Sequence, residues 1–119
     1  MVTWPGTHSI YPLPFTIYHL PFAIRMVIGL LTVEMHIPGA RSLKDKRMVL
    51  RSIKDRLKKF NVAVSETAYQ DLWQRAELGI VTISTSDDVV DQALAAARDE
   101  IDRVEPGLIT RTQVDMMEA

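Results

Sequence analysis

The sequence contains no cysteine. Disulfides, thiol chemistry and thiolate metal sites are thereby excluded, and a reducing compartment fits, so a cytoplasmic protein is expected. Histidine is scarce, with three residues in 119. No HExxH or similar cluster is present, so no metal site is expected. There is no GxGxxG and no Walker loop. Neither an enzyme nor a cofactor is therefore expected. No apolar run reaches about 18 residues, which argues against a membrane span. Aromatics make up 7% of the chain, and five of the eight fall before residue 26.

What is present reads as one ordinary globule. The chain is 47% apolar and 24% charged, neither of which marks disorder. Its length allows a single core. The net charge of −1 conceals a division. Residues 41–59 carry nine basic and two acidic side chains, +7, whereas residues 60–119 carry four basic and twelve acidic, −8. Such patterning says more about partners than the total does.

Residues 1–25 differ from the rest. They hold four of the six prolines and two of the three histidines, and their one charge is Arg25. Prolines at 5, 12, 14 and 21 interrupt any helix or central strand. A signal peptide would want a basic start and an unbroken apolar core. The segment is expected to be an extension: upstream sequence taken in by a wrong start site, or a loosely ordered arm packing its aromatics on the domain. The domain itself is expected over residues 26–116.

From Met26 the periodicity predicts strand, helix, strand, strand, helix, strand. VIGLLTVEMH (27–36) is a mostly apolar run ended by Pro38-Gly39. Ser42 is a suitable N-cap, after which Leu43, Leu50, Ile53, Leu57 and Phe60 recur at helical spacing. NVAVSETAY (61–69) and AELGIVTIS (76–84) form a hairpin around QDLWQR. Ser86 caps a second helix with the stripe Val90, Leu94, Ala97, Ile101 and Val104. Pro106-Gly107 ends it, Leu108 to about Val114 offers a last strand, and MMEA is expected to fray. A βαββαβ order predicts an α+β, ferredoxin-like fold, a four-stranded antiparallel sheet with both helices on one face. Such a sheet leaves two edges, through which a homodimer could form.

GLLTVEM, ARSLKDKRMVLRSI, NVAVSE and QDLWQRAELGI together resemble the YlxP family of small bacterial proteins, a domain of unknown function (number 503). The resemblance covers about residues 26–104 and rests mainly on RSLKDKR paired with QDLWQR. It implies a ferredoxin-like fold. The family's genes often lie beside those of translation initiation and ribosome maturation factors, which implies a role near RNA or the ribosome. The family has no established activity and so no catalytic residues to transfer.

The basic stretch supports two readings. Lys58 and Lys59 sit at a helix C-terminus, where the macrodipole favours cations, and the acidic second helix could neutralise part of the charge. Cations at the N-terminal end oppose the dipole by roughly 0.3–1 kcal/mol each unless an anion is held there. Lys44, Arg47, Arg51, Lys54 and Lys58 follow i, i+3, i+7, i+10, i+14, a stripe about 21 Å long. The candidate RNA or anion site is therefore Arg41, Ser42, Lys44, Lys46, Arg47, Arg51, Lys54 and Lys58. The first and third strands carry no aromatic for base stacking and there is no GxxG clamp, so binding would follow backbone charge and shape.

Tyr69, Asp71, Trp73 and Arg75 form a second candidate, a partner loop. Its Trp is either a recognition anchor or a lid folded back on the sheet end, with Asp71 and Arg75 pairing locally. His36 reads as a packing or surface residue. Glu34, Glu66 and Glu77 read as ordinary strand positions. A rival function is a small-molecule or dimerisation module of the regulatory ACT type, drawn from Ile37-Pro38-Gly39, although no acid precedes that Pro-Gly.

Overall fold

The computed structural model describes residues 25–118; the expectations for residues 1–24 and for Ala119 lie outside them. The order is β1 (Val27–His36), α1 (Leu43–Leu57), β2 (Ala63–Ala68), β3 (Arg75–Ser84), α2 (Asp87–Val104) and β4 (Ile109–Glu118). The strands form one sheet in the order β2-β3-β1-β4, with every neighbouring pair antiparallel. This is the expected ferredoxin-like α+β architecture, and β2 and β4 are its edges.

Strand parity decides which side chains reach the core. In β1, Val27, Leu31, Val33 and Met35 are buried toward the helices, and in β3 Ala76, Leu78 and Ile80 face the same way. Gly29 lies on that face too. A Cβ there would stand 2.3 Å from Val90 Cγ1 and 2.9 Å from Leu94 Cδ1, so the absence of a side chain lets α2 approach β1. From α2, Val90, Leu94, Ala97 and Ile101 close the core, and from α1 Leu50, Ile53 and Leu57 do so. Each of these larger side chains contributes roughly 1.5–3 kcal/mol by leaving water. Leu43 and Phe60, expected in the same stripe, are only half-buried.

Local chemistry sets the ends of the elements. Ser42 Oγ accepts the Asp45 N–H at 3.1 Å, and Ser86 Oγ accepts the Val89 N–H at 3.4 Å, as N-caps do. Gly107, at φ 79, turns the chain out of α2 in the left-handed region that glycine enters without penalty.

One expectation is corrected. The tail from Met116 does not fray: β4 extends to Glu118 because Met116 is buried opposite Gly29 and the Glu118 carboxylate accepts from Arg25 Nε at 2.5 Å. Pairing with β1 supplies ladder bonds that a free tail would lack.

Replacing Gly29 by Ala is expected to lower stability by about 1–3 kcal/mol, since two packed side chains of α2 must shift. Urea unfolding of the two proteins checks this.

Candidate nucleic-acid interface

The basic helix does not present all its cations to solvent. Lys46 lies four residues before Leu50 on the buried stripe and is 1% exposed. Its Nζ donates to the backbone carbonyls of Tyr69 at 2.8 Å, Gln70 at 3.3 Å and Arg75 at 3.3 Å, and lies 2.9 Å from Glu66 Oε2. Glu66 reaches it because its position in β2, opposite Leu78, turns it toward the helices. An isolated ammonium there would be very costly. This one has a counter-ion in Glu66 and three carbonyl acceptors for its three protons. The expectation that Lys46 contacts an external anion is therefore corrected. It binds the protein's own β2–β3 loop.

The same loop is held from other directions. Gln74 Nε2 donates to Pro38 O at 3.2 Å and Ala40 O at 3.1 Å, and the Ile37 N–H donates to Gln74 O at 2.8 Å. Tyr69 adopts φ 63, a left-handed conformation costing a side-chain-bearing residue about 1–2 kcal/mol. Its ring lies 4.0 Å from the Arg75 guanidinium, and its hydroxyl donates to Glu34. Arg75 Nη2 in turn donates to Glu34 Oε1 at 2.9 Å. These two donors, Arg75 first, hold the Glu34 carboxyl below its ordinary range. The bond to Glu34 raises the Tyr69 phenol. The partner-loop residues thus divide. Tyr69 and Arg75 are occupied internally, Asp71 is exposed and pairs with neither, and Trp73 is 52% exposed. The expected Asp71–Arg75 pair does not form, because Glu34, across the strand pair, takes the guanidinium.

The outer face of α1 keeps its cations. Arg41, Lys44, Arg47 and Arg51 are exposed, and Lys54 is half-buried. None of these five is in an ion pair among the described residues. Lys58 pairs with Asp55 at 3.1 Å, an exposed contact of little energetic weight. Ser42, placed in the anion site by its N-terminal position, uses its hydroxyl on the helix itself. Asp45 Oδ2 accepts the Arg41 N–H at 3.0 Å and adds an acid to the first turn.

Neutralisation by the acidic helix is confined to one point. Glu100, 7% exposed, receives Arg103 at 2.7 and 2.9 Å and Lys59 Nζ at 2.9 Å. The Arg103 bond and then the Lys59 bond carry its carboxyl from 4.5 to about 2. This fastens the C-terminal end of the basic stretch to α2 and leaves the stripe from Lys44 to Lys54 facing solvent. Glu34 and Glu77 stand opposite each other in the register of β1 and β3, but Glu77 accepts from Thr67 Oγ1 at 2.7 Å and Glu34 is held by Arg75 and Tyr69. His36 is exposed at the strand end. Among the described residues no group of His, Asp or Glu is placed to hold a metal, and no helix is long and apolar enough to cross a membrane.

Two outcomes follow from the buried charges. Lys46→Met strands Glu66 and three carbonyls and is expected to cost about 3–5 kcal/mol. Lys44→Met, two residues away on the outer face, should stay within about 0.5 kcal/mol; chemical denaturation of the pair reads the difference. Because the folded Glu100 value lies below the unfolded one, its pairs stabilise fully above about pH 4.5 and lose that contribution as pH falls through about 2. The stability gap between wild type and Glu100→Gln should therefore be constant near neutrality and close in acid, as denaturation at stepped pH would record.

Comparison with known proteins bears on the two segments that Lys46 joins. A curated relative, "Uncharacterized protein YlxP" of Bacillus subtilis (strain 168), is 49% identical over 61 residues, 50% of this chain and 66% of that protein. The match thus spans just under two thirds of the relative's length. Among solved structures, "De novo designed protein Foldit4" is 11% identical with a TM-score of 0.49, covering 76% of this chain and 94% of that one. A C-terminal segment of the alpha subunit of aIF2 from Pyrococcus abyssi is 17% identical with a TM-score of 0.43, covering 86% and 54%. Nothing rests on these two likenesses. The family model described as "Protein of unknown function (DUF503)" matches residues 28–114, from β1 to β4 with both RSLKDKR and QDLWQR inside it, and the chain belongs to that family.

Proposed function

We propose that this protein is a non-enzymatic RNA-binding module of the cytoplasm, which engages structured RNA, with ribosomal RNA the first candidate, through the outer face of α1. One observation carries the reading. Lys44, Arg47 and Arg51 form an exposed row without counter-ions among the described residues, while the seven acids of the neighbouring helix region deliver one cross-helix pair, Lys59–Glu100. Cations kept unpaired beside an acidic neighbour are available to phosphates. A row of this length follows a duplex backbone by charge and spacing without reading bases.

The ACT-type alternative relies on the Pro38-Gly39 loop. There the Pro38 and Ala40 carbonyls already accept from Gln74, which leaves a small ligand fewer backbone groups to use. No specific observation favours it.

The triple variant Lys44→Gln, Arg47→Gln, Arg51→Gln removes exposed charge only and should fold. Against a structured RNA across a salt series, its log–log slope is expected to fall by about two to three units relative to wild type, close to one per lost phosphate contact. Equal affinity and slope for the two proteins would remove α1 from the binding surface. A melting temperature raised by a metabolite, with RNA ignored, would favour the ACT-type reading.

A further inference from the structure

The β2–β3 loop combines two properties that rarely coincide: it is firmly held, and its tip is apolar and exposed. Leu72 is 47% and Trp73 52% exposed. On either side of them, Lys46 binds the carbonyls of Tyr69, Gln70 and Arg75, the Leu72 N–H donates to Tyr69 O at 3.0 Å, and Gln74 is bonded through both side chain and backbone. A buried lysine and a glutamine thus fix a loop whose indole stays half exposed. A side chain already ordered when free loses little freedom on binding.

Beside the indole is an open groove of about 550 Å³ lined by His36, Asp71, Leu72, Trp73, Gln74 and Arg75. Gln74, in the groove's lining, donates to Ala40 O, and Arg41 and Lys44 follow Ala40 along the chain, Lys44 within the first turn of α1. Both cations are exposed and unpaired among the described residues. The Arg75 guanidinium is already paired with Glu34, and Asp71 is the one carboxylate among the described lining residues. An exposed aromatic face next to cations suits a ligand with both a π-face and phosphates, as an unpaired nucleotide has.

Resting on the RNA reading above, we propose that Trp73 stacks an unpaired base at the end of a duplex whose phosphates run along α1. The central strands offer no aromatic platform, and of the described Phe60, Tyr69 and Trp73 it is Trp73 that is exposed. The ligand is then a junction between double-stranded and single-stranded RNA rather than a uniform duplex.

The test uses the full chain carrying Trp4→Phe, so that Trp73 is its one tryptophan, with two RNAs: a blunt hairpin and the same hairpin bearing a short single-stranded tail. Trp73 emission is expected to be quenched by the tailed RNA and not by the blunt one. The tailed RNA should bind roughly five- to 150-fold more tightly. Against this background Trp73→Ala should abolish that preference and leave blunt-hairpin affinity unchanged, whereas Trp73→Phe should keep much of it. If both RNAs bind equally well before Trp73 is altered, or if the preference survives in Trp73→Ala, the stacking site is wrong and the α1 reading stands. If neither RNA binds even at low salt, both fall together.

Discussion

The Lys46 ammonium joins two segments that are far apart in sequence, the first turn of α1 and the β2–β3 hairpin. Its counter-ion comes from β2 and its acceptors from the loop after β2 and from the first residue of β3, while its own backbone belongs to α1. None of these bonds can form until the helix is packed and the hairpin is in register. A shift of one residue in β2 would turn Glu66 to the other face of the sheet. A buried ion pair of this kind is poor evidence for net stability, since desolvation offsets most of its attraction. Its value lies in the arrangements it excludes. A slipped hairpin or a rotated helix would bury a bare ammonium, at a cost no neighbouring contact repays.

This accounts physically for the two segments on which the resemblance to the family chiefly rests. RSLKDKR supplies the cap, the lysine and the outward cations; QDLWQR, with Tyr69 just before it, supplies the carbonyls, the glutamine that holds the Pro38-Gly39 turn, and the arginine that anchors Glu34. Tyr69 illustrates the interdependence. Its left-handed backbone is unfavourable alone, and it is stabilised by an arginine against its ring, a carboxylate on its hydroxyl and an ammonium on its carbonyl. Such over-determination is what keeps an unfavourable conformation in place.

Strand parity and helical spacing made the fold legible, because apolar periodicity reports directly on burial. The order of elements, both Ser caps and the α2 stripe could all be read that way. The site was less legible, because counting charges treats nine cations as equivalent. Position 46 is four before Leu50, so it belongs to the inward face. Glu66 continues the parity of Val62 and Val64, and it too points inward. A lysine on the buried stripe of a helix and a glutamate on the buried side of a strand were visible as a matched pair of exceptions. What no pattern revealed was the role of backbone carbonyls, since any residue type can offer one. The extension of β4 to Glu118 was hidden for a related reason: MME has no alternation to distinguish a paired strand from a tail, and its order depends on Gly29, Arg25 and β1.

One helix therefore serves two surfaces. At about 100° per residue, Lys44 projects nearly opposite Lys46, so a single turn sends one cation out to solvent and one in to the loop. The inward lysine fixes where the loop sits, and the loop fixes where Trp73 sits. The indole and the cationic row are consequently parts of one rigid unit rather than independent surface features. Distance between them is set by buried bonds instead of by side-chain reach. A protein that merely needed a soluble surface could place its lysines and its tryptophan anywhere. This one uses a buried charge to tie the loop that carries an exposed aromatic to the helix whose outer cations are unpaired among the described residues, an arrangement that is intelligible if both meet the same ligand.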